Sequence, residues 1–569
     1  MQNLKKYISA STLYKFLTND FIVLIFLLLI GALLCAYNQY DFFWDIANYH
    51  YYNAWAFWED TSAYKIYGLP GEMNSLLNPL LDVPLYLLIK YFNSNAAFIF
   101  AMQGLWFGLL LFLFWKICFL FFDNKKLLDV LCVVLAVLIG ATGQATWFQA
   151  GSSTNEVQIS VFVLTGIYFT LKYIKYRDIQ KAYKFFFLGL FLGTALALKP
   201  TCFSYIVAGG VSLLFLYKRL NNPIKYIIFY ILGGICGYLI FNGYFMYEYF
   251  VKYGNPFLPA LNSLFSTEWF GTTSLIDHRF IPKGWEFLYY PFILETNAGE
   301  IFYYDKRGWI FYSSFVMFFI YIIFHLKKNT FFKNSLNLYT LLYLLIAYIL
   351  WMIFFGITRY SIVIEMLSAL FFVKICSSIK IKKDFVLYVY ISLLLIIGYI
   401  LVSTPVYSIQ WPKLKKDDSN VYMEIDPILI PNDSLVIFNN RPTAFLIPLL
   451  AKYNNTLSVL SYKHPFEKYS ERVPFTKLHT IREDIRKKYG DNIVIIYIKE
   501  QNIFFSKEKD FYFASLLEEE FEEIQQKMSC DTIKGNLDVE YYICFPRKSL
   551  KNDDLIKPDN NEVFYDFLN

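Results

Sequence analysis

The chain reads as an α-helical polytopic membrane protein that ends in a C-terminal extracytoplasmic α/β domain. Three observations lead there. Hydrophobic residues make up 57% and aromatics 21% of its 569 residues, too apolar for a soluble chain of this size. About eleven apolar runs are long enough to cross a hydrocarbon layer. From about residue 405 the composition turns polar and strand-like runs alternate with helical ones.

The apolar runs lie at about 20–37, 97–121, 128–143, 157–172, 184–199, 201–217, 225–248, 309–325, 338–356, 359–376 and 384–402. The first follows Lys5, Lys6 and Lys15 and lacks a small-residue cleavage site, so it is expected to be a retained anchor. The short basic loops, at Lys125 and Lys126, 172–184, 217–225, 325–333 and 378–384, all fall on one side. The positive-inside rule makes that side the cytoplasm, with the N-terminus inside and the tail outside. Segment 76–92 carries Asn78, Pro79, Asp82 and Pro84 and is expected to lie at the membrane surface or re-enter it. Residues 38–96 then form one outer loop.

The expected domains are therefore 1–404 in the membrane and 405–569 outside it. In the tail, 434–440, the following apolar helix and TLSVLSY read as strand, helix, strand; HTIREDIRKKYG and NIVIIYIKE repeat helix then strand. SLLEEEFEEIQQK is expected to be a solvated helix. The tail has no glycine-rich phosphate loop, so no nucleotide cofactor is expected. The net charge of +6 suits basic cytoplasmic loops and gives no sign of a nucleic-acid partner. Six of the eight cysteines sit in or beside apolar runs as small hydrophobes; Cys530 and Cys544 lie in the tail, where an oxidising compartment permits a disulfide.

The polar residues near the membrane gather on the outer side. The stretch DFFWDIANYHYYNAWAFWED, 41–60, follows the first span and lacks Gly and Pro. As an α-helix it puts Asp41, Asp45 and Asn48 on one face and turns His50 elsewhere. Paired acids serve proton transfer or metal binding; the plainer alternative is a solvated interfacial helix. The same side holds Asn78, Asp82, Glu156, Asn255, Asp277 and Arg279, with Lys199 and Arg359 at helix ends; with Asn48, His50 and Glu365 these are the expected substrate-binding residues. Lys199 and Arg359 fit a functional role or snorkelling about equally. Glu365 lies about 9 Å inside its helix at the standard rise and needs an interior partner or a water-filled cavity. The five histidines form no close-spaced pair of the kind zinc sites use.

Several stretches together, WDIANYHYYNAWAF, LNPLLDVPLYLL, GTALALKPT, YGNPFLPALNSLF, DHRFIP and TRY, resemble bacterial polytopic proteins of the GT-C glycosyltransferase superfamily, in particular a group associated with envelope polysaccharide synthesis. The tail segment CDTIKGNLDVEYYIC fits as well. The resemblance implies a GT-C-like catalytic domain over 1–404 in the bacterial inner membrane. It implies a polyprenyl-phosphate-sugar donor, a glycan or lipid acceptor, and a catalytic acid in the first outer loop. That role falls on Asp45 first and Asp41 second. The two are four residues apart, whereas the superfamily often has its acids adjacent or separated by one, and both stay candidates. Glu156 stands where an Asp is expected.

The residue types suit that chemistry on their own terms. A carboxylate accepts the proton of the attacking hydroxyl, and cations such as Lys199, Arg279 and Arg359 hold the departing phosphate. Magnesium or manganese bridging Asp41, Asp45 and the donor phosphate is a further option. Two other functions share the membrane plan. A glycan polymerase or ligase favours an arginine-dominated site, and a lipid-linked glycan transporter predicts internal repeats with charges at the midplane. This chain instead places its densest acids straight after the first span.

Overall fold

The computed structural model describes residues 19–39, 41, 43–122, 127–176, 183–216, 223–267, 269, 280–287, 334–378, 420–438, 442–461, 484–498, 528–537 and 540–546. Helices occupy nine of the eleven apolar runs: α1 (Asp20–Asn38), α4 (Ala96–Phe121), α5 (Leu127–Ala141), α7 (Glu156–Tyr176), α8 (Lys184–Leu198), α9 (Phe203–Phe215), α10 (Pro223–Tyr253), α12 (Ser335–Phe354) and α13 (Ile362–Ser378). Among the described residues six helical segments are long and apolar enough to cross a membrane: α1, α4, α7, α10, α12, and α13 with its preceding turn. Helices α5, α8 and α9 are shorter, and the runs at 309–325 and 384–402 lie outside the described residues. So do the basic loop at 325–333 and the SLLEEEFEEIQQK stretch.

Two crossings are made at backbone distance, which explains why their contact faces are glycine. A Cβ on Gly31 of α1 would overlap the Gly104 carbonyl of α4, and one on Gly193 of α8 would overlap the Gly234 carbonyl of α10. Small residues let apolar helices approach where lipid offers no hydrophobic gain. The opposite faces of α1 and α10 expose Phe21, Leu29 and Leu33, and Ile228, Ile235 and Ile240, as a lipid-facing surface requires.

Between α1 and α4 the chain makes a layer too short to cross. It comprises α2, strand β1 (Lys65–Tyr67), a 3-10 turn (Glu72–Leu76) and α3 (Val83–Phe92). Pro84 near the start of α3 suits a helix's first turn. Helix α2 is composite: Phe43–Asp45, a π-helical turn Ile46–His50, then Tyr51–Trp58. Further along the chain come α6 (Gln144–Phe148), which packs against the turn Thr358–Ser361, and α11 (Asn262–Phe265).

The tail adds β2 (Leu435–Phe438), α14 (Leu446–Ala451), β3 (Ser458–Ser461), β4 (Ile493–Ile498), β5 (Met528–Ile533) and β6 (Tyr541–Pro546). The sheet order is β1-β3-β2-β4-β6-β5, parallel from β1 to β4 and antiparallel through β6 and β5. Strand β2, buried along its length, reads as an unbroken apolar run because parallel strands are covered on both faces.

The division at 405 needs correcting in one respect. Strand β1 belongs to the first loop yet pairs with β3 of the tail, Lys65 opposite Ser458. Ile46, Ala47, Tyr51 and Trp55 share one buried cluster with Val436, Phe445, Leu446 and Val459. The tail and the first loop are thus one folded layer, and a three-residue strand is too short to reveal itself by alternation.

Cys530 and Cys544 face each other across β5 and β6 and are joined as a disulfide. The bond closes a loop of 14 residues, for which chain entropy gives about 3 kcal/mol. Replacing both by Ser is expected to lower the tail's resistance to proteolysis by about 2–4 kcal/mol. Limited digestion of the full chain, with and without reductant, measures this; equal cleavage rates would contradict it.

Candidate functional site

Four separated segments deliver charge to one buried place beneath α2. Asp45, at the end of the first helical turn of α2, receives the Arg359 guanidinium at Oδ2, 2.5 Å away. Arg359 stands on the turn before α13, and its Nε lies 3.7 Å from Glu156 Oε1. Lys199 reaches the same Glu156 oxygen at 2.7 Å and donates to the Thr154 carbonyl at 2.6 Å. Carboxylate, guanidinium, carboxylate and ammonium therefore alternate. Glu156 opens α7 and Lys199 closes α8, so each sits at the helix end whose dipole favours its charge.

Burial within the row is uneven. The side chains of Glu156 and Asp45 are 2% and 4% exposed, those of Lys199 and Arg359 12% and 13%. The cations are the members that solvent, or an arriving anion, meets first. Tyr360 covers them: its ring lies 5.7 Å from Lys199 Nζ and 5.2 Å from the Arg359 guanidinium, and its hydroxyl accepts a bond from Arg359 at 3.2 Å. Its backbone is held by the Tyr205 hydroxyl, 2.5 Å from the Tyr360 carbonyl.

A second group adjoins the row through the Asn155–Glu156 peptide. Asp82, just ahead of α3, lies 2.6 Å from His50 Nδ1, and the Asn155 amide donates to the same Asp82 oxygen. Asn155 takes a left-handed backbone, φ 66°, which its residue type tolerates. His50 is here because of the π turn. Tyr51 N–H reaches back to the Ile46 carbonyl, five residues earlier, and the added residue alters the face on which His50 emerges. His50 thus pairs with Asp82, while the Asp45 carboxylate goes to Arg359. Its Nε2 is buried without a partner among the described residues and faces a cavity of about 10 Å³, near the lower limit for one water.

Asp41 is placed differently from Asp45. Its Oδ1 accepts from the Ser153 N–H and hydroxyl, both at 2.8 Å, and its Oδ2 from the Tyr422 hydroxyl at 2.6 Å. Burial, then the adjacent carboxylate, pushes the Tyr422 phenol far above its ordinary range, so it stays protonated and keeps donating. Asp41 is thus a tie between the first loop, the 149–155 loop and the tail. The expected metal bridge across Asp41 and Asp45 does not fit: both Asp41 oxygens are committed, and among the described residues no group of three His, Cys, Asp or Glu is arranged to hold an ion.

The remaining expected ligand-binding residues divide by where their polar atoms go. The Glu365 carboxylate occupies the space above Gly143 and accepts from the N–H groups of Ala145 and Thr146, at 3.3 and 2.9 Å, and from the Thr146 hydroxyl. It caps α6, a partner that a five-residue helix hides from sequence inspection. Asn78 donates to the carbonyls of Ala197 and Phe241 and accepts from Leu80 N–H, pinning the first loop to α8 and α10. Asn255 spends both ends of its amide on its own turn, through Phe257 N–H and the Ala260 carbonyl. These three serve the scaffold. Asn48 is fully buried on the π turn with neither amide atom partnered among the described residues. Asp277 and Arg279 lie outside the described residues.

Tyr49, Ser153, Asn155, Tyr360 and Tyr422 complete the arrangement without having been singled out as site residues. Tyr360 had a signal in the TRY triplet, and Asn155 in its place before Glu156. Tyr422 had none. Compared with known proteins, the chain matches no protein-family model and no curated protein.

Proposed function

We propose that the protein is a membrane glycosyltransferase of the GT-C type. It would move a sugar from a polyprenyl-phosphate-linked donor to a glycan or lipid acceptor on the extracytoplasmic face of a bacterial inner membrane. The observation that carries this is the Asp45–Arg359–Glu156–Lys199 row: a first-loop carboxylate buried against two cations, with the cations on the accessible side. Arginine and lysine so placed suit a phosphate, and a carboxylate beside them suits a hydroxyl proton.

Asp45 has a position to act. Arg359 engages Oδ2, and among the described residues no donor engages Oδ1. When the donor phosphate draws Arg359 and Lys199, the hold on Asp45 weakens and its carboxylate accepts the acceptor's proton. The acceptor oxygen bonds to the anomeric carbon as the carbon–oxygen bond to phosphate breaks. The electron pair leaves on the polyprenyl phosphate, whose charge the two cations stabilise. A single displacement inverts the anomeric centre.

An apolar groove of about 390 Å³ between α3 and α4 supports the lipid part of this reading. Leu81, Leu85, Leu88, Met102 and Trp106 line it, and Leu85 also borders the cavity beside His50 and Asp82. The disulfide suits an oxidising compartment and so supports an outward tail. An engineered cysteine at Asp433, on an exposed turn, is expected to react with an impermeant maleimide in intact spheroplasts. The activity itself is tested with the full chain in nanodiscs, given undecaprenyl-phosphate glucose, galactose or mannose and an envelope extract as acceptor. Chain-dependent release of undecaprenyl phosphate is expected; labelling only after permeabilisation, or no release from any donor, would sink the proposal.

A further inference from the structure

The groove between α3 and α4 is interrupted by two buried amides. Leu85, Leu88, Met102 and Trp106 line it together with Gln103 of α4 and Gln158 of α7, and no charged side chain stands among its described lining residues. Its volume of about 390 Å³ falls within the range of ligand pockets. Gln103 and Gln158 are only 6% and 4% exposed. Gln158 Nε2 donates to Gln103 Oε1 at 3.0 Å, and that one bond is enough to tie α7 to α4. Two facing amides can make a second bond, and here that arm is open. Gln158 Oε1 is buried with no partner among the described residues. An acceptor left so in apolar surroundings is destabilising, and a ligand that supplies a donor there removes the penalty.

We propose that this groove binds an acyl chain bearing a hydroxyl, with the hydroxyl inserted into the open arm of the Gln103–Gln158 pair and the hydrocarbon packed on Leu85, Leu88, Met102 and Trp106. A hydroxyl both donates and accepts, so it serves Gln158 Oε1 and the Gln103 amide nitrogen together. A phosphate or carboxylate would meet no cation in this lining. A polyprenyl chain is hydrocarbon up to its phosphate and has no donor for Gln158. The groove therefore falls to the lipid of the acceptor, not to that of the donor. That place in the reaction rests on the transferase reading, whereas the chemistry of the ligand rests on the groove alone.

The test is native mass spectrometry of the full chain in detergent micelles, titrated with methyl tetradecanoate and with its 2-hydroxy and 3-hydroxy forms. These probes are uncharged and differ only in the hydroxyl. One hydroxylated form is expected to bind about threefold to tenfold more tightly than the plain ester, as for a neutral hydrogen bond. Gln158→Leu is expected to abolish that preference and leave the plain ester bound; Gln103→Leu breaks the same arm and replaces it should Gln158→Leu not accumulate. Leu88→Trp, which fills the groove, is expected to weaken all three probes, and matching thermal transitions check folding. Equal binding of the three esters by the wild-type chain, a preference that survives loss of the glutamine, or binding untouched by Leu88→Trp would overturn the assignment and leave the transferase reading to its own assay. The expected preference in a chain that releases undecaprenyl phosphate from no donor would uphold the groove's ligand while the transferase reading falls.

Discussion

Asp45→Asn is expected to remove transfer almost completely while leaving the chain folded and able to take up the lipid-linked donor. The exchange preserves shape and removes the proton acceptor, and a positioned base contributes about a hundredfold to ten-thousandfold in rate. Removing half of a buried ion pair usually costs several kcal/mol. Here the guanidinium left behind keeps Glu156 at 3.7 Å and is the more exposed member of the pair, so the penalty is limited. The signature is a large fall in kcat at saturating donor with little change in donor binding. Asp41→Asn should behave in another way, loosening the Ser153 and Tyr422 ties and lowering thermal stability together with activity. Near-normal transfer by Asp45→Asn beside a dead, stable Asp41→Asn would move the base to Asp41.

Gly193→Ala should prevent α8 and α10 from closing, and the protein should fail to accumulate. The added methyl would overlap the Gly234 carbonyl, which is backbone and cannot rotate away. Overpacking typically costs about 1–3 kcal/mol, and a backbone collision stands at the upper end or beyond. Gly243→Ala, on the same α10, meets nothing within 4 Å and removes a weak helix former; it should be neutral or stabilising by up to about 1 kcal/mol. Fluorescence-detected size exclusion after heating compares the two directly. Equal thermal transitions would mean that the helices do not cross at those glycines.

Much of the helical layout was legible because it depends on apolar length, a local property. Asp45, Glu156, Lys199 and Arg359 were each legible as costly polar groups beside apolar helices, but their pairing was not. Asp45 and Arg359 stand 314 residues apart, and nothing local ties them. The pairing of His50 with Asp82 was not legible because a π turn has no sequence signature and shifts every later face of the helix. Glu365, Asn78 and Asn255 were assigned to ligand binding because an amide or carboxylate that serves a neighbouring backbone looks the same, in sequence, as one that serves a substrate.

The pairing of β1 with β3 sets an order of manufacture. Lys65 waits for Ser458, 393 residues downstream by subtraction. At about 5–20 residues per second, a ribosome needs roughly 20–80 s to supply it. During that interval the first span is already made, while the helix carrying Asp45 lacks the Phe445 N–H that bonds the Ala47 carbonyl at 3.0 Å and the Tyr422 hydroxyl that secures Asp41. The nascent chain therefore lacks these ties until its last third has emerged, and a ribosome that stops early releases a membrane-inserted product whose Asp41 has not been secured.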